Sequence, residues 1–195
     1  MAKKIGSIKS PNQDKAYNKV VEWFFSFPNR EFSLNELSIA LKIAKTTAKR
    51  VVNRLIDEGF LTRTIYGKVW IIKCNPQSDF NYTRKIAFNL GMVYEAYLGG
   101  IREDILEIVP NPRAIILFGS YRKGDDTEDS DIDIAVEVLD PKKAGIIELG
   151  HIAGFGYRKD VTVSLHIFTR KDVDVNLFSN IANGIVLSGF LEARP

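Results

Sequence analysis

The chain has few of the residues that build disulfides and zinc sites. Its 195 residues include one cysteine, Cys74, and two histidines, His151 and His166. A single cysteine excludes an internal disulfide, and these three residues cannot supply the four ligands of a structural zinc site. Any bound metal ion must therefore be held by oxygen ligands. Neither histidine is paired with a nucleophile in the sequence, so we expect structural roles for both.

Long apolar segments are also missing from the sequence. No apolar run approaches the roughly 20 residues that a membrane-spanning helix needs, and residues 1–10 are polar and basic, unlike a signal segment. With 45% hydrophobic and 26% charged residues, the chain has the composition of an ordinary globular protein. We therefore expect a cytoplasmic protein that does not contact membranes.

The net charge of +3 is divided unevenly along the chain. Residues 1–80 hold 14 Lys and Arg against 7 Asp and Glu, a net charge of +7, and the remainder holds 13 against 17, a net charge of −4. Clustered Lys and Arg gain free energy by displacing counterions from phosphates, so the basic half is a candidate for binding a polyanion. A solvated basic surface would explain the same charge.

Periodic apolar residues in the basic half predict three helices followed by a hairpin. Ser33 with Glu36 forms a capping box that begins the second helix, and Gly59 suits the end of the third. Two short apolar runs around Tyr66-Gly67 indicate paired strands joined by a tight turn. The predicted elements are helices over residues 17–25, 34–41 and 44–58 and strands over residues 60–65 and 68–72.

The sequence from Ala44 to Leu61 resembles the third helix of winged helix-turn-helix transcriptional regulators, which commonly ends in Leu-x-x-x-Gly-hydrophobic-Leu. The resemblance covers about the first 75 residues and implies that this helix enters the major groove of double-stranded DNA. It assigns phosphates to Lys49 and Arg54 and base edges to Arg50 and Asn53. Binding of another protein by the same surface is the alternative. The DNA-binding residues implied by the resemblance are Thr46, Thr47, Lys49, Arg50, Asn53, Arg54, Arg63 and Lys68.

A polar segment with proline, residues 75–79, is typical of a linker. Two helices are predicted after it, the first with its apolar stripe on Ile86, Leu90, Val93 and Tyr97 and ending at Gly99-Gly100, the second over residues 101–109. The first helix also carries apolar residues on its other faces. It is therefore either sandwiched between two domains or packed against a second chain in a homodimer.

A second motif joins a Gly-Ser turn to a pair of aspartates. An apolar strand ends at Gly119-Ser120, and Asp131 and Asp133 begin another. Residues two apart on a strand project from the same face, so the two carboxylates are expected side by side. Adjacent carboxylates repel each other unless a cation neutralises them, and oxygen ligands of this kind suit Mg²⁺ with a bound triphosphate. Glycine lets the backbone approach a phosphate closely.

The segments Leu117–Gly124 and Ser130–Val136 resemble the polymerase-beta superfamily of nucleotidyltransferases, especially its minimal members. The resemblance runs from about Ile101 to Gly189. It implies that Asp131 and Asp133 are catalytic and ligate one or two Mg²⁺ ions, while Gly119, Ser120 and Lys123 bind the triphosphate of an NTP. The remaining acidic residues between the two segments suggest a charged loop, and we assign no role to Asp125, Asp126, Glu128 and Asp129.

One position departs from the pattern of active members of this superfamily. Active members carry a third carboxylate on the strand that follows an intervening helix, where it completes a two-metal site. Aligning residues 163–169 with that strand places Ser164 at this position. The nearest acid, Asp160, is four residues earlier, roughly 13 Å away along an extended strand. Either Asp160 supplies the third carboxylate through a shifted register, or no residue does.

These patterns predict an α+β protein with a winged helix-turn-helix at residues 1–78, connecting helices at 79–109 and a small mixed α/β nucleotidyltransferase domain at 110–195. The predicted function is a DNA-binding protein that binds Mg²⁺ and an NTP and transfers a nucleotidyl group to a hydroxyl. The alternative is a transcriptional regulator whose nucleotidyltransferase fold has lost turnover and serves as a ligand sensor or dimerisation module.

Overall fold

The computed structural model of the chain describes residues 14–140 and 144–192. The basic segment at residues 1–10, which we expected to be unlike a signal segment, lies outside these ranges. Within them, no helix is long and apolar enough to cross a membrane. The described residues form a helical N-terminal half with a two-stranded sheet and a C-terminal half built on a five-stranded sheet.

The N-terminal half contains the predicted three helices and hairpin. Ser33 and Glu36 form the predicted capping box. The hairpin turn lies at Gly67-Lys68, one residue later than predicted, because Tyr66 pairs with Val69 and Gly67 takes a φ of 59°. The elements are α1 (Lys15–Ser26), α2 (Leu34–Leu41), α3 (Lys45–Asp57), β1 (Leu61–Tyr66) and β2 (Val69–Cys74).

The core of the N-terminal half is apolar and rich in aromatic rings. Phe24 and Phe60 are fully buried, and Phe60 stacks on Phe80 with ring centroids 4.9 Å apart. Each buried phenylalanine contributes roughly 1.5–3 kcal/mol through removal of apolar surface from water. The backbone of Phe32 also bridges Ile72, which ties the segment before α2 to the hairpin.

The predicted linker at residues 75–79 is a hydrogen-bonded turn and not an extended connection. Asn75 donates its amide to the Gly59 carbonyl at 2.9 Å, and Asn81 donates to the Asn75 carbonyl at 3.0 Å. Ser78 is buried and caps the short helix α4 (Asp79–Tyr82). The side chains of Asn75 and Asn81, on either side of Pro76, therefore stabilise the turn. The polar composition of the segment did not indicate these hydrogen bonds.

Two longer helical segments follow, α5 (Arg84–Ala96) and α6 (Arg102–Ile108), joined by a π-helical turn at Tyr97–Ile101. The predicted end at Gly99-Gly100 is a kink, because Gly100 has a φ of 148°. The buried residues of α5 are Lys85, Asn89 and Val93, so the predicted stripe was wrong in its first half. Ile86 and Leu90 are only partly buried because Lys85 and Asn89 have polar partners inside the protein.

Helix α5 is sandwiched between the two halves, which was one of our two alternatives. Phe88 packs against the N-terminal core and also against the core beneath the five-stranded sheet. Its ring lies 5.8 Å from that of Phe25 and 6.0 Å from that of Phe155. Tyr94 and Leu98 are exposed by 50% and 62%. A homodimer through this outer face stays a prediction.

The C-terminal half is of the predicted mixed α/β class and is built on a five-stranded sheet. The strands Ile132–Glu137 and Val161–Phe168 are parallel to each other, and the other neighbouring pairs are antiparallel. α5, the π-helical turn and α6 cover one face of the sheet, and α8 (Val175–Ala182) covers the other. In sheet order the strands are β5 (Gly145–Ile152), β6 (Val161–Phe168), β4 (Ile132–Glu137), β3 (Ala114–Phe118) and β7 (Ile185–Gly189). We had not predicted β5, which occupies the place of the helix implied by the resemblance.

Candidate functional site

The Gly-Ser turn lies directly against the aspartate strand. Phe118 ends β3 and pairs with Asp133 of β4. Gly119, with a φ of 73°, then begins the short helix α7 (Gly119–Lys123). A Cβ atom added to Gly119 would collide with the Asp133 carboxylate. Only glycine therefore allows both this backbone conformation and this approach to the carboxylate.

Asp131 and Asp133 project from the same side of the sheet, as their spacing predicted. Ser164 Oγ donates to Asp131 Oδ2 at 3.3 Å, and His166 Nε2 lies 3.1 Å from Asp133 Oδ1. Ser164 and His166 are two residues apart on β6, so they share one face of that strand. Ile132, between the aspartates, is fully buried in the opposite face. The two carboxylates therefore lie on the same side of the sheet, beside the Gly119-Ser120 turn.

His166 belongs to this site, which our assignment of a structural role did not anticipate. Besides its contact with Asp133, its ring packs edge-on against Phe118 with centroids 5.0 Å apart. Its Nδ1 is buried and has no hydrogen-bond partner among the described residues. The sequence did contain a signal, since His166 has the same strand parity as Ser164, the residue aligned with the third acid.

The strand register places Ser164, and not Asp160, beside Asp133. Asp133 pairs directly with Ser164 across the parallel strands, and Ile132 pairs with Val163. Asp160 precedes β6 and adopts a left-handed φ of 52°, so it lies in a turn before the strand. The shifted register that would bring Asp160 to this position is not the register of the structure.

The oxygen atoms around Asp131 suit a magnesium ion that is bound both by protein carboxylates and by the phosphates of a nucleotide. Mg²⁺ is usually held in proteins by one or two carboxylates, with waters and substrate phosphates completing the shell. Asp131 and Asp133 supply two carboxylates on one side. No cluster of three or more His, Cys, Asp or Glu arranged to hold a metal ion occurs in the part of the chain that the structure describes. Ser120 is half-buried and Lys123 is exposed on α7.

The loop between the two motif segments contains a buried ion pair, so our interpretation of a role-free charged loop was wrong for Asp126. Lys85 Nζ lies 3.2 Å from Asp126 Oδ1, and the two side chains are only 2% and 3% exposed. Asn89 donates to the same oxygen at 2.7 Å and to the Tyr121 carbonyl at 3.0 Å. Burial raises the pKa of the Asp126 carboxyl, while Lys85 and Asn89 oppose the shift.

Two other acids of this loop fit the original interpretation, and a third does not. Asp125 and Asp129 are exposed. Glu128 lies 3.7 Å from Arg30 of the N-terminal half and is mostly buried. The loop therefore contacts both α5 and the segment that connects α1 to α2. The run of acidic residues in the sequence does not indicate which of their carboxylates are buried.

Five of the eight predicted DNA-contacting residues fall into two groups on the surface of α3 and the hairpin. Arg63 donates to Asn53 Oδ1 at 2.9 Å and stacks over the Trp70 ring at 4.0 Å, with Lys49 over the same ring at 5.4 Å. This Trp70 cluster, formed by Lys49, Asn53, Arg63 and Trp70, joins helix and hairpin. We had not predicted Trp70, which pairs with Ile65 because the hairpin turn lies one residue later than predicted.

Arg50 and Arg54 are engaged with acidic partners on the side of α3 that faces α1. Arg50 Nη2 lies 3.1 Å from Asp14 Oδ2. Arg54 Nε lies 2.9 Å from Glu58 Oε1, and its guanidinium lies over the Tyr17 ring at 4.5 Å. The remaining predicted residues lie apart from these contacts: Thr46 is exposed, Thr47 is half-buried, and Lys68 is exposed in the hairpin turn.

Comparison with known families agrees with the geometry of the C-terminal half. Residues 98–182 match the family model described as a nucleotidyltransferase domain. This segment of the chain is therefore similar to nucleotidyltransferase domains, and the site from Gly119 to His166 lies inside it. A comparison with curated proteins found no significant match. Among solved structures, the chain is similar to a possible transcriptional regulator from Methanosarcina mazei Go1, with 22% identity, 50% of this chain and 79% of that chain covered, and a TM-score of 0.31.

Proposed function

We propose that this chain is a DNA-binding protein whose nucleotidyltransferase domain, at residues 110–195, binds Mg²⁺ with an NTP and transfers a nucleotidyl group to a hydroxyl. The observation that carries the proposal is the convergence of the Gly119-Ser120 turn with Asp131 and Asp133 at one end of the sheet. This convergence brings a close backbone approach, a hydroxyl and two carboxylates into one place.

Each group has a distinct task in this proposal. The carboxylates of Asp131 and Asp133 hold the metal, and the turn at Gly119 with the Ser120 hydroxyl and the Lys123 ammonium binds the triphosphate oxygens. The bound Mg²⁺ would neutralise charge on the phosphates. His166 constrains the Asp133 carboxylate through Nε2. The part missing from this set is a carboxylate beside Asp131 that would accept the proton of the attacking hydroxyl.

Ser164 favours a second candidate function, that of a regulator that binds Mg²⁺ and an NTP without turnover. A serine hydroxyl at this position donates to Asp131 and is too weak a base to deprotonate an acceptor. General-base contributions are typically about 10²- to 10⁴-fold, so transfer by the wild type is expected to be slow. In the second candidate, bound nucleotide acts as a signal to the DNA-binding half or to a dimer interface.

Binding is tested by calorimetric titration of NTPs into the full chain with and without Mg²⁺. We expect Mg²⁺ and nucleotide to strengthen each other's binding, because the cation links the carboxylates to the phosphates. Asp131→Asn combined with Asp133→Asn should abolish this linkage. The matched control is Asp125→Asn with Asp129→Asn, which removes two exposed carboxylates from the loop that precedes Asp131. Equal nucleotide affinity with and without Mg²⁺ in the wild type would refute the proposed site.

Turnover is tested by incubation with each labelled NTP, Mg²⁺ and candidate hydroxyl acceptors, the chain itself included. Ser164→Asp should leave nucleotide affinity nearly unchanged and raise transfer by about 10²- to 10⁴-fold if an acceptor is present. Fast transfer by the wild type would exclude the second candidate. Fast transfer that is lost in Asp160→Asn would also show that our placement of the third-acid position is wrong.

For the N-terminal half, we propose a winged helix-turn-helix over residues 1–78 that places α3 in the major groove of double-stranded DNA. Support comes from the order of three helices and a hairpin, from the net charge of +7 over residues 1–80, and from the exposed basic residues on α3 and β1. The Trp70 cluster holds Lys49 and Arg63 on one continuous surface.

DNA binding is tested by measuring the affinity of the full chain for duplex DNA over a range of salt concentrations. Affinity should fall steeply with salt, and Arg63→Ala should reduce the slope of log affinity against log salt by about one if Arg63 neutralises a phosphate. Lys171→Ala, which removes an exposed charge from the C-terminal half, is the control and should leave the slope unchanged. Salt-independent binding, or none, would favour the protein-binding alternative.

A further inference from the structure

Arg158 is a buried cation in the turn between β5 and β6. The backbones of Phe155 and Arg158 bridge each other with two hydrogen bonds of 3.0 Å, which closes the turn. The Arg158 residue is only 8% exposed. Nη1 donates to the Tyr121 hydroxyl, and Nη2 donates to the Ser130 carbonyl at 2.8 Å. These two hydrogen bonds come from separate nitrogens of one planar guanidinium, and a lysine ammonium could not reproduce their geometry.

The two partners of Arg158 belong to the two segments of the nucleotide motif. Tyr121 directly follows Ser120 on α7, and Ser130 directly precedes Asp131. The Tyr121 hydroxyl also lies 3.4 Å from the Ser130 carbonyl, so the three groups form a closed triangle. Tyr121 is fully buried, and its ring packs edge-on against Phe155 at 5.2 Å. The turn that carries Arg158 is therefore packed against the same tyrosine that its guanidinium binds.

The outer side of this turn rests on the N-terminal half. The Tyr157 amide donates to Ser26 Oγ of α1 at 3.1 Å, and the Tyr157 ring packs on Trp23 at 5.1 Å. A Cβ atom added to Gly156 would collide with Phe88 and with Ser26. The turn is thus held between α1, α5 and the nucleotide motif, which leaves little freedom for the Arg158 backbone.

We propose that Arg158 is a positioning residue that holds the Gly119-Ser120 turn in register with Asp131, so that phosphate and metal can be bound together. Planar guanidinium nitrogens reach the two segments at a fixed separation, which a flexible lysine ammonium cannot reproduce. The inference rests on the proposed Mg²⁺-NTP site. It adds a residue that touches neither nucleotide nor metal but fixes the spacing between the groups that do.

The test compares Arg158→Gln, Arg158→Lys and the control Lys159→Gln in the full chain. Lys159 is the exposed neighbour, so its variant removes the same charge without the buried contacts. The measurement is the ratio of NTP affinity with Mg²⁺ to NTP affinity without it, in protein that circular dichroism shows to be folded. Loss of hydrogen bonds to a charged group predicts a fall of about tenfold or more in this ratio for Arg158→Gln. Arg158→Lys should restore little of it, and Lys159→Gln should change nothing.

The outcomes separate the inference from the function on which it rests. A wild type without any dependence of NTP affinity on Mg²⁺ would refute the proposed site itself. A wild type with this dependence, retained in folded Arg158→Gln, would overturn the positioning role. Full recovery in Arg158→Lys would also overturn it, because charge and not geometry would then suffice. If Arg158→Gln does not fold, Tyr121→Phe removes one partner hydroxyl and should lower the same ratio, whereas an unchanged ratio would refute the proposal.

Discussion

The two halves of the molecule differ in where they keep their polar residues. The N-terminal core is almost wholly apolar, and the basic residues of α3 and the hairpin lie on its surface. The C-terminal half, together with helix α5 packed on it, buries charged groups, among them Lys85, Asp126 and Arg158, beside the loop that precedes Asp131. Surface changes in the first half should therefore alter binding with little effect on stability. In the second half, stability and the geometry of the site depend on the same contacts.

The largest expected effect comes from breaking the buried ion pair. Lys85→Ala leaves the Asp126 carboxylate buried without its cation, which should reduce the free energy of unfolding by about 3–5 kcal/mol. Urea denaturation followed by circular dichroism measures this loss. The double variant Lys85→Met with Asp126→Leu removes both charges and should recover much of it, because apolar replacements of buried pairs are often neutral. A loss below about 1 kcal/mol in the single variant would contradict the comparison between the halves.

The loss of unfolding free energy in Lys85→Ala should also depend on pH. Burial already raises the pKa of Asp126 in the folded protein, and removal of Lys85 should raise it further. At a pH below the pKa of Asp126 in the unfolded chain, this carboxyl is protonated in both states, so no unpaired charge is buried and no stability is lost on that account. The loss of unfolding free energy then grows as pH rises toward the pKa of Asp126 in the folded protein. The deficit of Lys85→Ala relative to wild type should thus be larger at pH 7 than at pH 4. A deficit independent of pH would indicate that lost packing, not the unpaired charge, is responsible.

A smaller effect is expected on the DNA-binding surface. Arg50→Ala should weaken binding to a duplex selected from a random pool by about 1–3 kcal/mol if Arg50 contacts a base. Its effect on the free energy of unfolding should be within about 0.5 kcal/mol, because the side chain is exposed. Fluorescence anisotropy measures the first quantity and urea denaturation the second. Undiminished binding would remove Arg50 from the predicted contacts, and a large loss of stability would show that the surface is not separable from the core.

The smallest effect should have the opposite sign. Asp14→Asn removes the partner of Arg50 while keeping a side chain that caps α1 well, so DNA affinity should increase about two- to fivefold. Glu31→Gln, which removes one exposed carboxylate elsewhere in the same half, is the matched control. An equal gain in both variants would mean that overall charge, and not release of Arg50, accounts for the change.

The sequence patterns predicted most accurately the structural features that depend on residues close together in the chain. The helices of the N-terminal half follow from their apolar period and from the Ser33 cap, and the common face of Asp131 and Asp133 follows from strand parity. The residues that were missed depend on distant partners. Asp126 is buried because Lys85 and Asn89 of α5 reach it, and β5 exists because β6 offers an edge to pair with, although Ile146 is 67% exposed.

Phe88 has a consequence for how the chain melts. It packs against Phe25 of the N-terminal core and Phe155 beneath the sheet, while Phe80 stacks on Phe60. Shortening the chain to residues 1–78 would uncover Phe25 and Phe60, and either half alone would present aromatic surface to water. Heating should accordingly disrupt both halves together. A calorimetric scan is expected to contain one endotherm whose van't Hoff and calorimetric enthalpies agree.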